Sequence, residues 1–232
     1  MDNEKIYGLI TARGNSKGIP NKNMREINGQ PLIYYSAKAA LESKKLEKVF
    51  LSTDSEKIAK YGEDLGLEVP YLRPKHLASD YSKSIDTVKH LIANCSLNGA
   101  ICLIQPTTPL VTKDDIRKSI EIYKHSKKNV LSVSETSFQP TNTFFVNSEN
   151  EINFIKKNTG KPRQKLDQYF RLNGAIFLNS VESILSQNSL VQDNSIAYFM
   201  PKWKSIDIDD LVDFKIAELI LQNKDIFNNL NN

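Results

Sequence analysis

The chain has 232 residues, 40% of them hydrophobic, and a formal net charge of +4. This length and composition suit one α/β domain with an ordinary hydrophobic core. Lysine and arginine are spread along the chain, and no apolar run approaches the roughly 20 residues of a membrane span, so neither nucleic acid nor a membrane is expected as a partner.

Strands and helices alternate along most of the chain. The patterns predict, in chain order, a strand at 6–11, a helix at 32–43, a strand at 49–53, a helix capped by Asp54 or Ser55 and ended by Gly66, an extended segment at 69–73, a helix after Ser84, a strand at 100–104, a helix from about Asp114 and a strand at 130–134. The alternation resumes with a strand at 174–178, a helix at 181–187, a strand at 196–200 and a helix at 210–223, and we expect the tail after Asp225 to fray.

Residues 138–172 interrupt this alternation with prolines, asparagines, aromatic and basic residues and only short strand-like pieces. We therefore predict an α/β fold with a mainly parallel mixed sheet and helices on both faces, a Rossmann-like nucleotidyltransferase domain formed by residues 1–137 and 173–232. The excursion at 138–172 is predicted to form a lid or a subunit contact. Ligands of such folds bind beyond the carboxyl ends of the strands.

The loop after the first strand is the strongest functional signal. Residues 9–23 read LITARGNSKGIPNKN and carry Arg13, Lys17 and Lys22, with Arg25 just beyond. Cationic side chains and main-chain N–H groups on flexible backbone can converge on polyphosphate oxygens. The loop fits neither the Walker A nor the GxGxxG pattern, and a solvated turn has the same composition. A nucleotide site here therefore needs support from other residues.

Two aspartates separated by one residue provide such support. Asp207 and Asp209 follow a predicted strand, and in extended backbone residues i and i+2 project to the same side, where both carboxylates can reach one divalent cation. Asp209 or Asp210 could equally cap the final helix. A metal opposite a cationic loop is the arrangement that phosphoryl or nucleotidyl transfer requires.

Two further polar segments fall at comparable places. The segment 105–109, QPTTP, offers an amide and two hydroxyls on a proline-stiffened turn, which could contact a base or a sugar, or could be a turn without a ligand. The segment 162–174 interleaves Arg163, Lys165 and Arg171 with aromatic residues. Arginine binds carboxylates through its bidentate fork, and a subunit interface uses the same residue types.

The remaining candidate groups favour ordinary structural roles. Cys95 and Cys102 lack CxxC spacing and are interpreted as free thiols, and His76, His90 and His125 lack the spacing of metal ligands. The first ten residues lack the basic and then apolar order of a signal peptide, which predicts a cytoplasmic protein.

Six motifs occur together in an order typical of one enzyme family. They are TARGNSKGIPNKN, LRPKHLASD with Ser84, LIQPTTPL, PRQ at 162–164, FRLNGAIFLN and SIDIDD. In this the chain resembles the CMP-sialic acid synthetase, or acylneuraminate cytidylyltransferase, family, over residues 6 to about 219. The resemblance implies an enzyme that joins CTP to a nine-carbon 2-keto sugar acid, giving the CMP-sugar and pyrophosphate by attack of the anomeric hydroxyl on the α-phosphorus.

The resemblance also implies roles for particular residues. Catalytic roles fall to Arg13, Lys22, Asp207 and Asp209, of which Asp207 and Asp209 are the ligands of Mg²⁺, with Mn²⁺ as an alternative. CTP binding falls to Ala12, Arg13, Gly14, Ser16, Lys17, Lys22, Asn23, Arg73, Ala78, Ser79, Asp80 and Ser84. Sugar binding falls to Gln105, Thr107, Arg163, Gln164, Arg171 and Asn173. The family is dimeric, so a homodimer is expected, with the excursion exchanged between subunits over the active site.

The sequence leaves some alternatives open. Asn142 stands in a segment where sialic-acid enzymes of the family often carry a lysine, and Phe177 stands where they often carry a tyrosine, and we expect both near the sugar. Sialic, legionaminic and pseudaminic acids all remain candidates. No histidine or glutamate stands out as the general base. Outside the family, a glycosyltransferase with an Asp-X-Asp metal site and a non-catalytic nucleotide-binding module are the alternatives.

Overall fold

A computed structural model describes residues 4–16, 18–136, 138, 140–156 and 168–229. Its strands are β1 (Ile6–Thr11), β2 (Glu26–Ile27), β3 (Gln30–Pro31), β4 (Val49–Ser52), β5 (Ala100–Ile104), β6 (Val130–Glu135), β7 (Phe144–Val146), β8 (Ile152–Phe154), β9 (Phe170–Ser180) and β10 (Ile196–Phe199). Its helices are α1 (Leu32–Ser43), α2 (Glu56–Leu65), α3 (Ser84–Asn94), α4 (Lys113–Ser126), α5 (Val181–Gln187), α6 (Leu211–Gln222) and α7 (Lys224–Asn229).

A six-stranded sheet in the order β10-β6-β9-β5-β1-β4 forms the centre of the fold. Strand β1 pairs in parallel with β4 and β5, and β10 pairs in parallel with β6, whereas β9 is antiparallel to both of its neighbours. The predicted mainly parallel mixed sheet is confirmed. Because β9 runs backwards, its amino-terminal residues lie at the same edge as the carboxyl ends of the parallel strands.

Helices cover both faces of the sheet, as predicted. One core cluster joins the sheet to α1, α2 and α4, through residues such as Ile33, Ile58 and Ile116. A second joins the opposite face to α3 and α5, through Leu91 and Ile184. Each strand of the centre is therefore buried from two sides, which explains its continuous apolar sequence.

A third core cluster fixes the loop after β1 to the carboxyl-terminal part of the chain. Ile19 in the loop and Ile208 between the two aspartates are both fully buried, and they belong to the same apolar cluster as Phe214 of α6. Between the loop and α1, the chain reverses direction in a short hairpin, β2–β3, whose turn residues Asn28 and Gly29 have positive φ angles. This packing brings opposite ends of the chain to one place.

Several local expectations change in the structure. Strand β9 begins at Phe170, earlier than residue 174, because its first residues pair with the end of β6. The expected fraying after Asp225 is wrong as far as Asn229, since α7 covers this segment. Within the described segments, no helix is long and apolar enough to cross a membrane. The division into a domain and an excursion stays a prediction.

Candidate active site

A cavity of about 470 Å³ opens at the carboxyl edge of the parallel strands. It is bordered by the loop after β1, the segment before α3, the turn after β5 and the aspartate segment before α6. Its lining consists of Thr11, Arg13, Ser16, Gly18, Lys22, Asn23, Arg73, Leu77, Ala78, Ser79, Asp80, Ser82, Ser84, Thr87, Gln105, Pro106, Thr107, Asp207 and Asp209. The structure thus brings most of the predicted site residues together from four distant parts of the chain.

The loop after β1 is held in shape by its own polar groups. The side-chain amide of Asn23 donates to the carbonyl oxygen of Arg13 at 3.0 Å, and the N–H of Gly14 donates to Asp54 Oδ1 at 2.8 Å. Arg13 reaches across the cavity mouth to Asp80, with 2.8 Å between Nη1 and Oδ1. Asp54 therefore binds the loop, while its neighbour Ser55 caps α2.

Lys22 connects the loop to the aspartate segment. Its Nζ donates to the carbonyl oxygen of Ile208 at 2.6 Å, between the two aspartates. The pKa of Lys22 lies below its ordinary value, mainly because burial penalises the charged ammonium, although Asp209 and Asp207 act to raise it. Gly18 packs against the same segment so closely that a Cβ atom there would lie 2.5 Å from the carbonyl oxygen of Asp209. The cations and the aspartates thus form two adjoining walls.

Arg73 is the most unusual side chain of the cavity. It is 93% buried, and one nitrogen, Nη1, donates to Thr87 Oγ1 at 3.3 Å. Nε and Nη2 have no hydrogen-bond partner among the described residues. Burial lowers the pKa of Arg73, and Asp54 acts against this shift. A buried guanidinium with unused donors, in the wall of a cavity, is ready to bind an anionic or acceptor-rich ligand.

Asp207 lies deeper in the cavity than Asp209. Its pKa is raised, first because burial disfavours the carboxylate and also because Asp209 is near, while a hydrogen bond from Thr107 acts in the opposite direction. Its Oδ2 lies above Gly174, where a Cβ atom would come within 2.9 Å of it and within 3.2 Å of Gln105 Oε1. Gly174 thus leaves room for two oxygen ligands to converge. Its φ of +77° also favours glycine.

The two interpretations of the aspartate segment apply to different residues. Asp210 is the N-cap of α6 and accepts hydrogen bonds from the N–H groups of Val212 and Asp213, in a capping box completed by Asp213. Asp209 lines the cavity. Capping by Asp210 therefore leaves the carboxylate of Asp209 at the cavity.

A second, smaller cavity of about 300 Å³ lies at the end of β6. It is lined by Ser134, Glu135, Thr136, Phe138, Arg171 and Lys202. Arg171 donates from Nη2 to the carbonyl oxygen of Ser205 at 2.8 Å, and its charge acts against the burial that raises the pKa of Asp207. The guanidinium therefore lies between this cavity and the aspartates.

Some predicted site residues do not line the main cavity. Ala12 and Asn173 are fully buried, and Asn173 bonds to Ser132 and Ser205 inside the protein. Phe177 packs against the core cluster of α3 and α5 and lines neither cavity, contrary to our expectation. Lys17, Arg163 and Gln164 lie outside the described residues.

The sequence analysis missed several residues of the cavity wall. These are Thr11, Gly18, Leu77, Ser82, Pro106 and Thr87. Thr11, Gly18, Leu77 and Pro106 lie inside the quoted motifs, but roles were assigned only to their neighbours. Thr87 is different, because it lies one helical turn after Ser84 on α3 and accepts a hydrogen bond from Arg73.

A divalent cation in this cavity would meet two carboxylates, those of Asp207 and Asp209. Nowhere in the described ranges do three or more His, Cys, Asp or Glu side chains form a cluster fit for a metal. The two aspartates and the nearby amide oxygen of Gln105 are hard oxygen donors, which suit a cation that completes its coordination with water and substrate phosphates.

Comparison with known proteins agrees with the fold and with the resemblance to cytidylyltransferases. An N-acylneuraminate cytidylyltransferase of Escherichia coli is 32% identical over 240 residues, covering 98% of this chain but only 56% of the relative. A CMP-N,N'-diacetyllegionaminic acid synthase of Legionella pneumophila is 33% identical over 237 residues, covering 94% of this chain and 97% of the relative. The chain therefore spans about half of one relative and nearly all of the other.

The structure of CMP:2-keto-3-deoxy-manno-octonic acid synthetase complexed with CTP has the same fold, with a TM-score of 0.73, 14% identity and coverage of 95% of this chain and 99% of that one. Together with the sheet order described above, this likeness defines an α/β fold of the nucleotidyltransferase type. The family model described as cytidylyltransferase matches residues 7–224, and the chain belongs to that family.

Proposed function

We propose that this enzyme transfers the cytidylyl group of CTP to a nonulosonic acid of the N-acetylneuraminic, legionaminic or pseudaminic acid type. The anomeric hydroxyl oxygen forms a bond to the α-phosphorus of CTP and its proton passes to solvent. The bond from that phosphorus to the oxygen bridging to the β-phosphorus breaks, and pyrophosphate leaves with the bonding electron pair. The observation that carries this proposal is the single cavity in which Arg13, Lys22 and Arg73 face Asp207 and Asp209. Negative charge on a transferring phosphoryl group is stabilised from several sides in such an arrangement.

The relatives support the choice of substrates. The names of the Escherichia coli and Legionella pneumophila proteins describe transfer to N-acylneuraminate and synthesis of a CMP-legionaminic acid. In the proposed complex the loop after β1 binds the triphosphate, and the segment with Arg73 and Ala78–Ser84 binds the nucleoside. CTP is an intracellular metabolite and both Cys95 and Cys102 are free thiols, so we place the reaction in the cytoplasm.

The sugar acid is proposed to bind between Gln105 and the cavity at the end of β6. Arg171 borders that cavity with its guanidinium, a group suited to the carboxylate of a 2-keto acid. Gln105 and Thr107 offer polar groups on the other side. We assign the same role to Arg163 and Gln164 on the resemblance alone.

Asp207 and Asp209 are proposed to hold Mg²⁺, or Mn²⁺ in its place. Burial and mutual repulsion raise the pKa of Asp207, and a divalent cation would relieve both effects. The bound cation would neutralise charge on the phosphate oxygens. Mn²⁺ binding followed by electron paramagnetic resonance tests this without turnover: Asp207→Asn should lose the bound signal, and an unchanged signal would contradict the assignment.

The active form is proposed to be a homodimer. The hairpin β7–β8 exposes Phe145, Val146, Ile152, Phe154 and the adjacent Ile155, each of them more than half exposed. A cluster of large apolar side chains on a two-stranded hairpin is typical of a surface that another chain covers.

One assay tests the proposed reaction. Purified protein is mixed with CTP, Mg²⁺ and, separately, each of the three nonulosonic acids, and released pyrophosphate is measured. We expect release with at least one sugar acid and formation of the matching CMP-sugar. A glycosyltransferase would consume a preformed nucleotide-sugar without releasing pyrophosphate, and a binding module would bind CTP without turnover. Either of these results would refute the proposal.

A further inference from the structure

A third cavity is lined by other residues than those of the active site. It has a volume of about 550 Å³ and is formed by α1, the start of α4, the turn at 202–204 and the first residue of α7. Its lining shares no residue with the main cavity described above. We call it the lysine cavity, because its wall includes Lys38, Lys113, Lys118, Lys204 and Lys224.

The carboxylates of the lysine cavity are already paired. Asp115 bonds to Lys204 at 2.8 Å, Asp114 pairs with Arg117 at 3.2 Å, and Glu42 lies 3.7 Å from Lys113 and 3.9 Å from Lys38. Within the described part of the chain, neither Lys118 nor Lys224 has a carboxylate partner. The cavity therefore carries positive charge that the protein itself does not neutralise.

Lys224 has the strongest need for a counter-ion. It is half-buried at the start of α7, and burial together with the nearby Lys204 and Lys38 lowers the pKa of its ammonium group. Trp203 lines the same cavity, and its indole Nε1–H is buried without a hydrogen-bond partner among the described residues. The lysine cavity is thus bordered by the ammonium group of Lys224 and the indole N–H of Trp203.

The types of donor indicate the class of ligand. Lysine ammonium groups act as point charges and bind phosphate readily, whereas planar carboxylates favour the arginine fork. No arginine occurs in the described lining of this cavity. We propose that the lysine cavity is a second ligand site, separate from the active site, which binds a small phosphate-bearing anion.

Trp203 provides a local probe, because it is the only tryptophan of the chain. Inorganic pyrophosphate is titrated into the purified protein at constant ionic strength and without divalent metal, while the fluorescence of Trp203 is followed. We expect a saturable change in the unaltered protein. Lys224→Gln should weaken the apparent affinity about tenfold, as expected for one charge-assisted hydrogen bond, and Lys118→Gln should weaken it in the same direction.

Two controls separate this site from the active site. Lys57→Gln removes one charge from an exposed position on α2 outside the cavity and should leave the titration unchanged. Arg13→Ala alters the main cavity and should also leave the Trp203 response unchanged. Lys118 is exposed, so its variant is expected to fold even if that of Lys224 does not. The proposal is overturned by a missing response, by a response equal in both lysine variants and the unaltered protein, or by one that Arg13→Ala abolishes.

Discussion

Replacing Arg73 by methionine should separate ligand binding from stability. The guanidinium is 93% buried, its one bond to Thr87 is long at 3.3 Å, and Nε and Nη2 have no partner in the described part of the protein. Methionine has a similar length and fills the same space without polar atoms. The variant therefore removes donors that the free protein does not use but that we assign to CTP.

The expected magnitudes follow from these contacts. A hydrogen bond to a charged group contributes about 1.5–3 kcal/mol, so two lost bonds at the lower value give about 3 kcal/mol, or about 150-fold in the Kd for CTP. In the free protein, each buried unsatisfied donor costs about 1–3 kcal/mol. Methionine removes this cost, and losing the weak bond to Thr87 offsets part of the stability that is gained. We therefore expect the free energy of unfolding to rise by about 1 kcal/mol.

Calorimetric titration with CTP and urea unfolding without ligand measure the two quantities. Arg117 gives a control, because each of its three guanidinium nitrogens has a partner: they donate to Ser43 O, Glu42 O and Asp114 Oδ1. Arg117→Met should lower stability and leave CTP affinity unchanged. The reasoning is refuted if Arg73→Met binds CTP within twofold of the unaltered protein, or if it destabilises the protein as much as Arg117→Met.

Four further predictions concern the site and the assembly. Asp207→Asn should reduce turnover at least 100-fold while the thermal midpoint is retained, and an undiminished rate would remove this residue from the metal site. Gly174→Ala should lower kcat about tenfold or more, because the new methyl group would displace Asp207 Oδ2 and because alanine is strained at the positive φ of this position. A normal kcat would show that Asp207 and Gln105 do not need the space left by Gly174. CTP affinity should fall as pH rises through the lowered pKa of Lys22, since the ammonium loses its charge above that value, and Lys22→Arg should flatten this profile, which binding measured against pH can check. Charged residues at the exposed Phe145 and Ile155 should convert the proposed dimer to monomer in light-scattering measurements, and an unchanged mass would place the subunit contact elsewhere.

The sequence predicted most elements of the fold because their signals are local. Apolar runs such as 100–104 and helical stripes such as 32–43 require only neighbouring residues, and both agree with the structure. The direction of β9 is not local, because an antiparallel strand between two parallel ones has the same buried apolar sequence. Only its pairing with β5 and β6 decided that its first residues, including Arg171, reach the site.

By itself, the sequence determined the chemical types of the site: a cationic loop at 9–23, two aspartates at 207 and 209, and the motifs of a cytidylyltransferase. The tertiary structure decided which of them meet. Lys22 and Ile208 lie 186 positions apart in the chain, yet their atoms are 2.6 Å apart, since the cluster around Ile19 and Ile208 buries both segments together. Only the structure, likewise, shows that two nitrogens of Arg73 have no partner among the described residues, because the partners of a buried polar group depend on all the segments that pack around it.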